Sequence, residues 1–403
     1  MLNETYRAML GNKSVIRETF MYGKQRAAEI GYENVFDYSL GNPSVPCPPE
    51  FTAAMQDLLA NEEPVNLHGY CPSQGDPEFR TAVAAHLNRT FGLPYAQKDI
   101  FPTTGAAGAI AHAVRAVTRP GDEVLTFAPY FPEYGPYVAG TGAVLKVVPP
   151  QAPTFQPNLD AFEQMIGEKT TCVLINTPNN PTGAVYSEES LRELADLAVK
   201  HDFFIVADEI YEKMVYDGAK HFSVASISRE VWERTITVNG FSKAYAMTGW
   251  RIGYAAARAD VIKEIMAVQS QTTSATSAIS QKAALAALQG SQHDMQVMVE
   301  EFKRRKDYVV QRLNAMEGIV CPDVKGAFYV YPDVQPYLGK RFGDKVIENA
   351  VDLCQYLLDE ALISTVPGEA YNAPGKIRIS YSNSMENLEK ALDRLEHALV
   401  QLK

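Results

Sequence analysis

The segment Asn239-Gly-Phe-Ser-Lys-Ala-Tyr-Ala-Met-Thr-Gly-Trp-Arg-Ile-Gly-Tyr254 places Lys243 between two short apolar runs, with Arg251 in the second of them. The run before the lysine, Thr235–Val238, is rich in β-branched residues and predicts a buried strand. Apolar surroundings disfavour an ammonium ion, so they lower the pKa of a lysine. Most lysines beside turns are simply solvated. The role of Lys243 therefore depends on what else the chain brings near it.

A deprotonated lysine forms a Schiff base with a carbonyl, and an arginine binds a phosphate through two parallel hydrogen bonds. An aldehyde and a phosphate on one small molecule describe pyridoxal 5′-phosphate. Its enzymes hold it through a lysine Schiff base and place an acidic residue at the ring nitrogen. This hypothesis requires an acidic partner elsewhere in the sequence.

Residues 77–290 alternate helical and strand-like segments. Predicted helices cover 77–92, 105–117 and, capped by Ser187, 187–201; predicted strands cover 123–127, 143–148, 172–175, 203–207, 235–238 and 251–254. Short apolar runs separated by helices predict an α/β fold, with a mostly parallel sheet covered on both faces. Ligands of such sheets gather at the carboxyl ends of the strands.

The chain has 403 residues, which is more than one hydrophobic core usually supports, so we expect two domains. After about residue 290 a long charged helix (294–315) precedes short strands (326–331 and 376–380) and a last helix from about 384. We predict a large domain of residues 46–290 and a small α+β domain formed by residues 1–45 and 291–403.

Charge and composition exclude several classes of protein. The net charge of −11 argues against binding to nucleic acid or to an anionic membrane. No apolar run approaches the ~20 residues of a membrane span, and the first ten residues lack a signal-peptide core, so we expect a cytoplasmic protein. Five scattered cysteines without a C-x-x-C pair, and histidines without metal-binding spacing, predict no metal site.

Polar residues at strand ends supply the expected partners. Asp208 ends a buried strand and could keep a pyridine nitrogen protonated, although a helix N-cap is the alternative. Tyr211, three residues on, could donate to the ring phenolate. Asn180 follows another buried strand and could donate to the same oxygen, although a structural loop is the default for such a turn.

Three further features fit the same ligand. The loop Thr103–Gly108 opens an alanine-rich helix whose first backbone amides could bind phosphate; it lacks the dinucleotide and Walker patterns. Phe131 follows a strand and could stack on a flat ring, although such aromatics more often belong to a core. Arg378 lies in an apolar strand and needs an anionic partner, either a substrate carboxylate or a structural ion pair.

With this series in place, the chain from about Gly41 to Ser380 resembles the class I/II aminotransferases of pyridoxal phosphate fold type I, nearest to the aspartate/aromatic branch. The resemblance implies a mostly parallel seven-stranded sheet. It makes Lys243 the internal-aldimine lysine, which moves a proton between Cα and C4′. The other roles that it implies are Asp208 at the pyridine nitrogen, Asn180 and Tyr211 at O3′, Phe131 against the ring, Arg251, Ser242 and the amides of Ala106 and Ala107 at the phosphate, and Arg378 with Asn180 and Gly41 at the α-carboxylate.

Tyr70, in His68–Gly75, matches the family tyrosine that reaches the phosphate of a neighbouring subunit, which implies a homodimer with shared sites. Two positions depart from the family. Gly240 stands where a phosphate-binding serine is common. Ala107 stands where related aspartate-type enzymes can carry a lysine for a distal carboxylate, and this weakens the expectation that aspartate is the donor.

From this resemblance we expect the protein to be a transaminase of amino-acid metabolism, with a biosynthetic role. It would move an amino group from an L-amino acid to a 2-oxo acid such as 2-oxoglutarate in two half-reactions. The same core residues would serve a carbon–sulfur β-lyase, and a non-catalytic pyridoxal phosphate-binding regulator is the alternative of another class. The sequence leaves open the donor, the acceptor, the pathway and any assembly beyond a dimer.

Overall fold

The computed structural model of the chain describes residues 15–403 together with Glu4 and Arg7. The rest of the first fourteen residues, which belong to the predicted small domain, lie outside the described part. Its strands are β1 (Phe36–Asp37), β2 (Ile100–Thr103), β3 (Glu123–Phe127), β4 (Val144–Val148), β5 (Thr170–Asn176), β6 (Phe204–Asp208), β7 (Thr235–Gly240), β8 (Gly253–Ala256), β9 (Tyr329–Val330), β10 (Arg341–Phe342), β11 (Lys345–Val346), β12 (Ile363–Ser364), β13 (Val366–Pro367) and β14 (Ile377–Ser380).

The α-helices of the same part are α1 (Val15–Ile30), α2 (Pro49–Asn61), α3 (Pro64–His68), α4 (Pro77–Phe91), α5 (Gly105–Val117), α6 (Tyr134–Ala139), α7 (Leu159–Met165), α8 (Glu188–His201), α9 (Arg229–Arg234), α10 (Ala259–Thr272), α11 (Ala278–Gln289), α12 (His293–Ala315), α13 (Ala350–Glu360) and α14 (Met385–Gln401). Short 3₁₀ turns cover Tyr32–Asn34, Gln97–Asp99, Val224–Ser226, Thr248–Trp250, Gln335–Tyr337 and Gly368–Tyr371. None of these helices is long and apolar enough to cross a membrane.

The seven strands of the large sheet follow the order β2-β8-β7-β6-β5-β3-β4, which confirms the predicted mostly parallel sheet. Only β8 runs against its neighbours, β2 and β7. The start of β8 therefore lies at the same edge as the carboxyl ends of the parallel strands. Lys243 follows β7 and Arg251 precedes β8, so one loop presents both at that edge.

Two details of the predicted strands are corrected. The strand predicted from Arg251 begins at Gly253, because Arg251 itself adopts a left-handed conformation (φ 52°) after the turn Thr248–Trp250. None of the predicted strand ranges covers β2, which contains Pro102. Proline is tolerated there because β2 lies at the edge of the sheet.

Helices cover both faces of this sheet, as expected for parallel strands. On one face α5 and α10 pack on residues such as Leu174 and Val206; on the other α8 packs on Val173 and Ile205. The predicted bounds of α5 are exact. The cap of α8 is also confirmed, since the Ser187 hydroxyl accepts a hydrogen bond from the backbone N–H of Ser190.

The C-terminal part forms a second, three-stranded sheet in the order β13-β14-β9. The strand predicted over 326–331 is shorter, since only Tyr329–Val330 pairs with β14. The described part of the N-terminal segment packs here, because β1 pairs with β12 and Tyr22 donates a hydrogen bond to Asp359. The domain boundaries near residues 46 and 290 stay predictions.

Candidate active site

A cavity of about 500 Å³ opens at the carboxyl edge of the large sheet. The predicted site residues that line it are Gly41, Ala106, Ala107, Phe131, Asn180, Asp208, Tyr211, Ser242, Lys243, Arg251 and Arg378. Tyr70 is not among them; the residue is 97% exposed on the surface of the subunit. The structure thus brings together every predicted site residue of this subunit except Tyr70.

Lys243 extends from the turn after β7 into this cavity. Its Nζ donates a 2.7 Å hydrogen bond to the backbone carbonyl of Gly41. Burial, reinforced by the charges of Arg378 and Arg251, lowers the pKa of this amine from 10.5 to about 8. A fraction of the amine is then neutral at ordinary pH, which nucleophilic attack on a carbonyl requires.

Asp208 is the last residue of β6 and is buried. Its Oδ2 accepts a 2.7 Å hydrogen bond from the hydroxyl of Tyr134, and its Oδ1 accepts one of 3.3 Å from the N–H of Ile210. Burial raises the pKa of the carboxyl to about 6, although the hydrogen bond from Tyr134 acts in the opposite direction. With a pKa of about 6 most of the Asp208 carboxyl is ionised at pH 7, so it can pair with a protonated nitrogen.

Arg378 is buried on β14 and also lines the cavity. Its Nη1 donates to Oδ1 of Asn180 (2.8 Å), and its Nη2 donates to the backbone carbonyl of Ser39. The guanidinium lies 4.5 Å from the ring centre of Tyr329, and its buried Nε has no hydrogen-bond partner. Among the described residues no carboxylate pairs with Arg378, so the cavity offers a cation to an incoming carboxylate.

Two neighbours of these residues escaped the sequence analysis. The hydroxyl of Tyr329 lies 3.0 Å from that of Tyr211, and the sequence signal was hidden because Tyr329 belongs to an apolar run typical of a core. Asn176 donates to the backbone carbonyl of Asp208 (2.9 Å) and accepts from the N–H of Asn180 (2.7 Å). It thereby fixes the ends of β5 and β6 relative to each other. The amide NH₂ of Asn180 stays available as a donor.

The part of the cavity formed by the start of α5 and Arg251 has the features of an anion site. Helix α5 begins at Gly105 (φ 72°), where a Cβ would come 2.7 Å from Nη2 of Arg251. A Cβ on Gly253 would come 2.6 Å from the carbonyl carbon of Gly105. These two glycines let the arginine and the free amides of the helix N-terminus converge, an arrangement that suits a phosphate.

The departure at Gly240 has a packing reason. A Cβ there would come 3.0 Å from both the Cα of Gly253 and the carbonyl oxygen of Ile252. This is tight for any side chain, because β7 and β8 pair directly at these two glycines. Ser242, two residues further, lines the cavity instead.

A second group of titratable residues lies beside Asp208. Glu209, Glu212 and His221 bring possible metal-binding atoms within 4.8 Å of one another. The Nε2 of His221 lies 3.2 Å from Glu209, and the Nζ of Lys213 lies 3.6 Å from Glu212. These ion pairs can offset both carboxylates without an added cation.

The residues around the cavity fit pyridoxal phosphate. An amine with a lowered pKa, a buried carboxylate, a phosphate-type anion site and a free arginine for a carboxylate lie around one space. That combination defines a pyridoxal phosphate-dependent enzyme acting on a substrate that bears a carboxylate.

Comparison with known proteins agrees with a pyridoxal phosphate-dependent enzyme. The family described as aminotransferase class I and II matches residues 33–395. An aspartate aminotransferase of Pinus pinaster is 40% identical over 341 residues, which are 83% of this chain and 69% of that protein. An aspartate aminotransferase of Streptomyces avermitilis is 35% identical over 94% of this chain and 93% of its own length. The solved aspartate aminotransferase of Rhizobium meliloti superposes with a TM-score of 0.90 at 36% identity, covering 95% of this chain and 96% of its own.

The structure of a Thermus thermophilus aspartate aminotransferase with maleate gives a TM-score of 0.89 at 35% identity, over 99% of both chains. The chain therefore belongs to the class I and II aminotransferases, in the branch of the aspartate aminotransferases. It is a pyridoxal phosphate-dependent transaminase, and its substrates are amino acids and 2-oxo acids.

Proposed function

We propose that Lys243 is the catalytic residue of this transaminase, both as the covalent anchor of the cofactor and as the base for the substrate Cα proton. The observation that carries this is the buried Nζ of Lys243, with its pKa lowered to about 8, in one cavity with Asp208 and Arg378. When bound, pyridoxal phosphate supplies a carbonyl that condenses with amines and a ring that withdraws electrons from Cα.

The remaining side chains hold and orient the reactants. Asp208 keeps the ring nitrogen protonated. Tyr211 and Asn180 donate to the ring phenolate, and burial raises the pKa of the Tyr211 hydroxyl well above its ordinary value, so it remains a donor. Phe131, which packs edge-on against Tyr134 at 5.7 Å, offers its face to the ring.

The phosphate of the cofactor and the carboxylate of the substrate bind to different residues of the cavity. Arg251, Ser242 and the amides of Ala106 and Ala107 bind the phosphate. Arg378 and Asn180, beside Gly41, bind the α-carboxylate of the amino acid and then of the 2-oxo acid. Both half-reactions use this one cavity, so the acceptor must fit where the donor did.

The test of this assignment is Lys243→Ala. Positioned proton transfer alone contributes ~10²–10⁴-fold to rate, and the variant also removes the covalent anchor, so we expect a larger loss of kcat. We also expect loss of the visible absorption band of the bound cofactor. The exposed Lys220→Ala is the matched control and should keep both properties. A retained band in Lys243→Ala would refute the assignment.

We further propose a homodimer in which Tyr70 completes the phosphate site of the partner subunit. Tyr70 is 97% exposed and stands outside its own cavity, while Arg251 remains exposed within it, so the phosphate end has room for a residue from another subunit. Mixing refolded Tyr70→Ala with Lys243→Ala tests this arrangement. Hybrid dimers would contain one site with both residues intact and regain activity, whereas two independent sites would give no gain over either variant alone.

We also propose that the protein is a cytoplasmic enzyme of amino-acid biosynthesis. Residues 46–290 would form its large domain, and residues 1–45 with 291–403 its small one. The five cysteines are all unpaired in the structure, as is usual in a reducing compartment. Limited proteolysis, followed by mass spectrometry, tests the domain boundaries, since cleavage should concentrate near residues 46 and 290.

A further inference from the structure

We propose that Tyr134 is a positioning residue, which orients the Asp208 carboxylate and keeps it ionised against the ring nitrogen of the cofactor. The inference rests on the proposed role of Asp208. The Tyr134 hydroxyl donates to Oδ2 of Asp208 at 2.7 Å, although the two residues are 74 positions apart in the chain. Both side chains are buried.

The tyrosine ring is held on two sides. It begins α6, where it stacks on Tyr130 (centres 6.2 Å apart, planes at 13°) and meets Phe131 edge-on at 5.7 Å. The hydroxyl therefore has a fixed direction, and it occupies one oxygen of Asp208. The other oxygen has only the longer contact from the Ile210 N–H, at 3.3 Å.

Among the residues that the structure describes, Tyr134 is the one side chain that donates to this carboxylate. The charges that face Asp208 are Glu209, which raises its pKa, and Lys243, which lowers it. Burial and the neighbouring carboxylate keep the pKa of Tyr134 well above its ordinary value, so the hydroxyl remains a donor at every working pH.

The proton on the ring nitrogen affects the pKa of the Lys243 nitrogen. A protonated ring disfavours a second proton on the lysine nitrogen bound to the cofactor, because the two positive charges repel. Without the Tyr134 hydroxyl, Asp208 ionises less readily and the ring nitrogen loses its proton at a lower pH. The proton on the lysine nitrogen is then held to a higher pH.

Tyr134→Phe tests this because it keeps the packed ring and removes only the oxygen. In a spectrophotometric pH titration of the holoenzyme, we expect the apparent pKa of the cofactor band to rise by roughly 0.5–1, a part of what a hydrogen bond to a charged group is worth. We expect kcat to fall about tenfold with little change in KM. Tyr130→Phe is the control, since its hydroxyl accepts from Asn372 and does not touch Asp208.

The outcomes separate the possible roles. If Tyr134→Phe lowers the melting temperature but leaves the pKa of the band unchanged, the residue is merely structural and the inference is wrong. Asp208→Asn tests the proposed contact between Asp208 and the ring nitrogen. If Asp208→Asn also leaves the pKa of the band unchanged, the assignment of Asp208 itself is wrong. With Asp208→Asn in place, adding Tyr134→Phe should shift the band no further.

A second replacement covers the case in which Tyr134→Phe does not fold. Incorporation of 3-fluorotyrosine at position 134 makes the hydroxyl a stronger donor with almost no change in shape. The pKa of the band should then move downward, opposite to Tyr134→Phe. An unchanged titration curve would overturn the inference.

Discussion

The amine of Lys243 donates a 2.7 Å hydrogen bond to the backbone carbonyl of Gly41, 202 residues earlier in the chain. The contact joins the loop after β7 to a segment that packs beside Tyr329. A Cβ on Gly41 would come 1.7 Å from the Tyr329 hydroxyl, so this position accepts no side chain without displacement. The lysine is thus oriented by backbone that only a glycine can place there.

Gly41→Ala should therefore move the segment away from both Lys243 and Arg378. We expect kcat/KM to fall by at least about tenfold, the effect of losing one hydrogen bond to a charged group. Steady-state kinetics with a saturating cofactor concentration measure it. Gly249→Ala is the matched control, because a Cβ there meets nothing within 4 Å. Equal kinetics of the two variants would contradict the packing argument.

Removal of the buried amine should stabilise the cofactor-free protein. The folded pKa of Lys243, about 8, lies below the ordinary 10.5, so burial of the amine, together with the charges of Arg378 and Arg251, costs about 3 kcal/mol while the amine is protonated in both states. This cost is complete below pH 8, declines between pH 8 and 10.5, and is absent above. We expect the melting temperature of apo Lys243→Met to exceed that of the wild type by roughly 1–3 °C at pH 7.

The difference should narrow as the pH rises from 8 towards 10.5. Differential scanning calorimetry of the two apo proteins at pH 7, 9 and 10 measures it. A difference that does not depend on pH would mean that packing, rather than the charge of Lys243, causes the change.

Arg378→Lys keeps the charge but loses the planar pair of donors. Since Asn180 and the Ser39 carbonyl already use two nitrogens of the guanidinium, a lysine cannot both keep these contacts and meet a carboxylate. We expect kcat/KM for amino acids to fall roughly 10–150-fold. The dissociation constant of pyridoxal phosphate should stay unchanged, because the proposed phosphate contacts come from Arg251 and the start of α5 rather than from Arg378. Weakened cofactor binding would contradict this division of the cavity.

Ala107→Lys tests the selectivity of the cavity. Its basic residues from the described chain are Lys243, Arg251 and Arg378, and each has a proposed role, so none is left for a distal carboxylate. An added cation near Ala107 should raise kcat/KM for L-aspartate relative to L-leucine by about tenfold, the equivalent of one modest ionic contact. Ala107→Met provides the control for size. An equal change in both variants would show that length, not charge, matters.

The sequence predicted most of the large sheet because its strands are short apolar runs and its helices carry clear caps, as at Ser187. It also predicted the cavity residues that belong to strand ends, such as Asp208. It did not reveal β2, whose Pro102 breaks the usual strand pattern. Nor did it reveal Tyr134 or Tyr329, because a buried tyrosine in an aromatic run has the same sequence signal whether its hydroxyl packs or orients a partner.

The antiparallel direction of β8 has a consequence for which substitutions the cofactor site tolerates. One loop, between Gly240 and Gly253, carries the covalent anchor at its start and the phosphate-binding arginine near its end. The spacing along the chain between these two attachments is therefore fixed by this one short loop. Side chains that line the cavity from outside this loop, such as Leu40 and Pro132, can therefore be substituted without removing either attachment.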